Sequence, residues 1–373
     1  MDNTYITLAI HTYDYAVSLR QTLEDNGIKV RLESVDKNEN VVSSGVRVRI
    51  PESELPHALK IVETALGHLE AIASMKLDGA GDKVVIPVDF SPYSRIACEV
   101  GFAFAALMNV EVIFVHVYAS PYFDGNLTEL PNDGDYVVEI TDASVRKDLE
   151  EAAKVEMKRF ISKVRKEIIA GKLPPVKFST VILEGVPEDA ILQYVRNSPP
   201  LLMVMATRGA HKKASQMVGS IAAEIIDNSR MPVFTVPENF IFDSFENLKN
   251  VAFFCNVDQQ DLLAMDVFMR LFENTHLNVH LIPVSDRAGI KLKGRMEVLL
   301  DYCRQRYPQK NFTSEILPKA SFRKDFEFYV REKNISLLVV PNKKKNAFSR
   351  LFNPGIAHKI LFEKDIPMLA LPV

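Results

Sequence analysis

The chain repeats itself, and this repeat constrains the fold more than any other feature. "KVVIPVDFSPYSRIACEVGFAFAALMNVEVIFVHVY" begins at Lys83, and "NVAFFCNVDQQDLLAMDVFMRLFENTHLNVHLIPVS" begins at Asn250. They align without a gap, Asn250 opposite Lys83. Each reads as an apolar strand, a helix of 3.6-residue period and a second apolar strand. Further on, "LLMVMATRGAHKKASQMVGSIAAEIIDNSRMPVFTVPE" matches "LLVVPNKKKNAFSRLFNPGIAHKILFEKDIPMLALPV", with Pro341 opposite Ala206. The second pair of stretches lies closer together along the chain than the first. The first copy therefore carries extra length in its middle, and "FDGNLTELPNDGDYVVEITDAS" is the main candidate. Strands alternating with helices imply a parallel, doubly wound sheet in each copy. "PENFIFDSFEN" (237–247) reads as the linker between copies.

The residues before the repeat follow another pattern. "TYITLAI" alternates as a strand; Ala16, Leu19 and Leu23 share one helical face; Gly27 is placed to stop that helix. "IKVRLESVD" and "VRVRIP" alternate as two further strands, and Leu55, Leu59, Val62, Leu66 and Leu69 form a helical stripe. This β-α-β-β-α order predicts a small antiparallel sheet backed by two helices. The expected fold class is therefore α/β, with two tandem Rossmann-like doubly wound domains behind a small α+β, ferredoxin-like one. The boundaries read as 1–76, 80–238 and 247–373.

Composition narrows the function classes. A formal net charge of −3 gives no global attraction to nucleic acid or membrane, so any anion site must be local. No run approaches the roughly 18 apolar residues of a membrane span, and "MDNTYITLAI" lacks a signal-peptide pattern. Three scattered cysteines, Cys98, Cys255 and Cys303, form no CxxC. A cytoplasmic protein with reduced thiols is expected. The eight histidines are dispersed, and neither G-x-S-x-G nor G-x-x-x-x-G-K-[ST] is present. His116, on an apolar strand, reads as a satisfied core histidine, and Glu184 alone is weak ground for hydrolysis. Nothing here indicates a dedicated enzyme.

The loop after "LLMVMA" carries the chemistry. Gly209 can adopt φ > 0 and admits a ligand close to the backbone. Gly219 and Ser220 place bare N–H groups and a hydroxyl at the start of the helix "SIAAEIIDN", where the dipole favours an anion. Arg208, His211, Lys212 and Lys213 add positive charge. The same residues are open to a plainer reading, in which Gly219-Ser220 caps a helix and the basic side chains are solvated.

"VVIPVDFS", "VIFVHVY", "LEGVPEDAI", the glycine loop and "MPVFTVPE", in this order, resemble the universal stress protein family. Its nucleotide-binding members carry Gly-x2-Gly-x9-Gly-Ser/Thr; here the pattern reads Ala206-x2-Gly209-x9-Gly219-Ser220. The resemblance implies a site for ATP or a related adenine nucleotide, with or without magnesium. It would be built from Asp89, Val117, Ala206, Arg208, Gly209, Gly219, Ser220 and Ile221. Asp89 would meet the adenosine end, and Val117 would supply backbone contact. Asp89 is equally open to reading as a turn residue, since Ser91-Pro92 looks like an N-cap with proline at N1. Ala206 departs from the pattern by a methyl.

The second copy departs further, with Asn256 at the aspartate position and Pro341-x2-Lys344-x9-Pro354-Gly355 in the loop. Proline offers no N–H, so this copy reads as degenerate. It would pair with the first as an intrachain pseudo-dimer, leaving further association of chains open. The 1–76 segment resembles short PII-like signal-transducing domains. Two functions follow as expectations: a nucleotide-binding stress regulator with an unidentified protein partner, or a scaffold that binds no nucleotide.

Overall fold

The computed structural model describes residues 5–11, 13–34, 46–58, 61, 81–118, 143–207, 220–257, 259–285, 290–342 and 366–372. The chain divides into two units: residues 1–79 with 249–335, and residues 80–248 with 336–372.

In the first unit, β1 (Tyr5–His11), β2 (Arg31–Ser34) and β3 (Val46–Pro51) form an antiparallel sheet in the order β1-β3-β2. Helix α1 (Tyr13–Asp25) is stopped as the sequence predicts. Gly27 sits at φ 84, and the N–H groups of Gly27 and Ile28 return to the carbonyls of Glu24 and Leu23. Leu55, Ala58 and Ile61 of the leucine-rich segment are buried; the rest of the stripe lies outside the described residues. The same unit holds β9 (Asn250–Cys255), β10 (Asn278–Pro283) and β11 (Asn311–Ser314), parallel with β10 central. Helices α6 (Gln259–Leu271), α7 (Ile290–Arg306) and α8 (Phe322–Glu332) accompany them, and α6 lies against β1.

In the second unit seven strands follow the order β12-β13-β8-β7-β4-β5-β6. They are β4 (Gly81–Pro87), β5 (Glu111–Tyr118), β6 (Phe178–Glu184), β7 (Pro200–Ala206), β8 (Val233–Val236), β12 (Leu337–Asn342) and β13 (Met368–Pro372). All neighbours run parallel except β8 and β13. Helices α2 (Pro92–Met108), α3 (Ala143–Ile169), α4 (Pro187–Asn197) and α5 (Ser220–Asn228) complete the unit. Burial explains the composition of the strands. β8 is buried throughout and most of β7 and β13 is, so they are predominantly apolar, whereas β6 at the edge is half exposed. The fold is α/β with a predominantly parallel sheet, and among the described residues no helix is long and apolar enough to cross a membrane.

The last strands of the two repeats meet directly. Met368, Leu369 and Ala370 pair antiparallel with Thr235, Phe234 and Val233, and the Thr235 hydroxyl donates to the Met368 carbonyl at 3.3 Å. Pro232 and Pro367 stand just before their strands, where the missing N–H costs no ladder bond, while their carbonyls accept from Met203 and Leu338. The 237–247 segment is more than a solvated linker. Phe245 packs on Phe104 of α2 at 4.5 Å between ring centroids and touches Phe242 at 5.3 Å.

One buried cation holds the first unit's parallel strands to their helix. Lys310, 4% exposed, donates to the carbonyls of Phe272 at 2.9 Å and Glu273 at 3.0 Å, and also to that of Thr275. These carbonyls lie just beyond the C-terminus of α6, where the helix dipole favours positive charge, and that of Phe272 also accepts the Thr275 N–H and hydroxyl. Lys310→Met keeps the stem and removes three charge-assisted bonds, so it should lower unfolding free energy by about 2–4 kcal/mol. Urea midpoints of wild type and variant measure this, and an unchanged midpoint would contradict the capping role.

Candidate functional site

The topology of the second unit makes a crevice before any side chain is considered. From β4 the chain steps through α2 to β5 and through α3 to β6; it then returns past β4 to β7 and steps the other way, through α5, to β8. Adjacent β4 and β7 thus lead into connections that leave in opposite directions. Open α/β sheets bind ligands at such a switch point, beyond the strands' C-terminal ends.

Three of the sequence-derived residues stand at those ends. Asp89 follows β4 and is exposed; Ala206 closes β7, half-buried and in register with Val236; Val117 lies near the end of β5, paired with Leu183. Thr207, next along β7, is buried and donates its N–H to the Val236 carbonyl at 3.0 Å. Ser220 opens α5, and Ile221 beside it is half-buried. Arg208, Gly209 and Gly219, with the rest of the glycine loop, lie outside the described residues.

The turn after β4 is built around Asp89. Its Oδ1 accepts the Ser91 N–H at 3.1 Å and the Ser94 hydroxyl at 2.7 Å, while its own N–H donates to Ser94 Oγ at 3.1 Å. The turn role foreseen for this residue is therefore seen: its side chain closes the turn onto Ser91 and Ser94. Ser91 corrects the sequence reading in part. It is the N-cap of α2 with Pro92 following, but its hydroxyl does not cap the helix. That Oγ is buried and has no hydrogen-bond partner among the described residues.

Phe90 occupies the left-handed region at φ 62, uncommon for a residue with a Cβ. Its ring lies 4.2 Å from that of His116 and 5.8 Å from that of Phe160 on α3. His116 Nδ1 bonds to the Val88 carbonyl at 2.8 Å, which fixes the proton on Nδ1. Burial holds the His116 imidazole below its ordinary value of 6.5, against the opposing pull of that backbone bond and of Asp89. At the far side of the strand ends Glu184 is engaged by Arg146, with the Tyr118 hydroxyl at 3.4 Å.

Sequence reasoning missed Ser94, Phe90 and Gly101. A Cβ at Gly101 would come within 2.4 Å of Ile86 Cδ1, so this glycine lets α2 lie close on β4 without displacing that side chain. The signal was present as a glycine inside a helical period, but only the packing says why it is there. Among the described residues no group of three or more His, Cys, Asp or Glu could hold a metal ion.

Comparison with known proteins bears on the same stretch of chain. The model of the universal stress protein family matches residues 81–237. That stretch runs from the start of β4 to just past β8, the whole span of the crevice-forming strands. Two universal stress proteins of Methanocaldococcus jannaschii resemble it. One is 29% identical over 154 residues, 41% of this chain and 81% of that protein; the other is 26% identical over 159 residues, 41% and 93% respectively. A solved universal stress protein from Archaeoglobus fulgidus DSM 4304 shares the fold over more of the chain. At 16% identity it covers 79% of this chain and 97% of its own, with a TM-score of 0.53.

The depressed His116 pKa has a definite sign in stability. The unfolded imidazole takes up its proton first, so the contribution is whole above about pH 6.5 and is lost as pH falls toward the lower folded value. His116→Gln should therefore narrow its stability gap from wild type between pH 7.5 and 5.5. A gap that stays constant or widens on acidification, read from urea midpoints, would contradict this.

Proposed function

We propose that the 80–238 domain binds ATP or a related adenine nucleotide in the β4/β7 crevice and acts as a regulatory protein of the stress response. The observation that carries this reading is the Asp89 carboxylate, held at the end of β4 by two hydrogen bonds to Oδ1 where the connections diverge. The chemistry around it fits. A ribose hydroxyl can donate to the carboxylate, Ser91 Oγ is a buried hydroxyl without a partner among the described residues, and Ser220 begins a helix. Arg208, Gly209 and Gly219 would cradle the phosphates, with Val117, Ala206 and Ile221 alongside and magnesium as the natural companion ion. Binding, rather than turnover, is the proposed role.

In this reading residues 247–373 are a second domain of the same kind that does not bind. The repeat alignment that sets Pro341 opposite Ala206 also sets the start of α8, Phe322, opposite Pro187 of α4, and Met368 of β13 opposite Val233 of β8. Antiparallel pairing of β8 with β13 suits an intrachain pseudo-dimer. Residues 1–76 are the third domain, a signalling module resembling PII-like ones, and a protein partner would receive the signal in a cytoplasmic setting. The Ala206 methyl favours the second reading, a scaffold that binds no nucleotide, because it stands where the binding pattern has glycine.

Calorimetric titration of the nucleotide-stripped chain with ATP separates the two. One site per molecule is expected. Gly219→Val places a branched side chain where phosphate oxygens must approach N–H groups, so affinity should fall by about tenfold or more. Gly355→Val should leave it unchanged. No binding by wild type would leave the scaffold.

The pseudo-dimer has its own test. Ile241 is 79% exposed, so a protease site inserted there is accessible without disturbing the Phe245–Phe104 packing. After cleavage the two fragments should co-elute in size-exclusion chromatography. Separation into stable monomers would refute the pairing.

A further inference from the structure

Within the nucleotide reading just given, we propose that Ser94 is a positioning residue: its hydroxyl fixes the Asp89 carboxylate in the conformer that meets the ligand. Ser94 is 3% exposed, so it cannot itself be a broad ligand contact. Its Oγ nevertheless makes two bonds to Asp89, accepting the backbone N–H at 3.1 Å and donating to Oδ1 at 2.7 Å. A third restraint comes from below, where His116 Nδ1 holds the Val88 carbonyl at 2.8 Å and the Phe90 ring lies on the imidazole. The Ser94 hydroxyl thus ties the backbone of Asp89 to its side chain, on a turn that the His116 bond to Val88 holds independently.

The corresponding turn after β9 separates what is architecture from what is site. In the gapless alignment of the two copies Val257 answers Phe90, and it has the same left-handed backbone, φ 61. Asn256 answers Asp89, and its N–H donates to Asp261 Oδ2 at 2.7 Å, with Asp261 at the position of Ser94. The bond to the backbone N–H therefore occurs at both turns, and either an alcohol or a carboxylate can accept it. The bond onto a carboxylate at the strand end occurs only where that carboxylate is present. An ionised aspartate at 94 could not donate to Asp89 and would repel it. Hydroxyl at 94 and carboxylate at 89 thus belong together chemically. The second bond has no counterpart in the architecture of the turn.

Without the hydroxyl, Asp89 Oδ1 loses the shorter of its bonds to Ser91 and Ser94, so the conformer that the hydroxyl favours is less populated and binding must offset the difference. Full-length, nucleotide-stripped protein titrated with ATP tests this in wild type, Ser94→Ala, Ser94→Thr, Asp89→Ala and the double Asp89→Ala/Ser94→Ala, each checked by thermal unfolding. Ser94→Ala should weaken binding by about five- to tenfold, and Ser94→Thr, which keeps the hydroxyl, should restore most of it. In the Asp89→Ala background the serine change should have no further effect. An equal loss in both backgrounds would mean that Ser94 acts through the stability of α2, and would overturn the proposal. Wild-type affinity in Asp89→Ala would overturn it while leaving nucleotide binding intact. Failure of wild type to bind ATP would remove both.

Discussion

Strand β8 is short, apolar and buried along its whole length, and so cannot stand at the edge of a sheet. An exposed edge of this kind presents unpaired backbone groups on an apolar strand and invites association with other chains. The chain covers it with its own C-terminal strand. β13 runs antiparallel to β8, and the seam adds the Thr235 hydroxyl to the Met368 carbonyl. The half-exposed β6 is left at the edge of this sheet. Much else follows from this pairing. β8 in turn pairs with β7, and β7 with β4, the two strands at whose ends the crevice opens.

The crevice shows how one backbone shape can carry different chemistry. The turns after β4 and β9 both place a residue bearing a Cβ in the left-handed region, at φ 62 and 61, and both tie the preceding N–H to a side chain further along, in the helix that follows. A left-handed valine is costly, so its presence argues that the turn is required by the strand-to-helix connection itself. What varies is where the negative charge sits. After β4 it stands exposed at the strand end; after β9 it is buried at residue 261, in the first turn of α6, as a cap for the strand-end N–H.

Periodicity and turn chemistry made a good deal legible from the sequence. The apolar runs of β4, β5, β7 and β9, the stop at Gly27 and the antiparallel strands of the first unit all follow from residue order, because they are local. The candidate positions Asp89, Val117 and Ala206 came instead from the family resemblance, and each lies near the C-terminal end of a strand. An α/β sheet places its ligand beyond the C-terminal strand ends, and those ends can be counted along the chain.

Long-range proximity decided the rest. Nothing in the order of residues says that Ser94 reaches back to Asp89, that a Cβ at Gly101 would lie 2.4 Å from Ile86 Cδ1 and force a shift, or that Phe245 closes the linker onto Phe104. Nor does it say that Lys310, one of 45 basic residues, is buried on three carbonyls from a distant stretch of chain. A lone lysine, glycine or phenylalanine carries no period, and its role depends on atoms that other segments contribute. The sequence by itself determined which segments are strands and helices and which strand ends could hold chemistry. The tertiary structure decided which side chains meet there, because hydrogen bonds and close packing depend on distances that only the folded chain brings within reach.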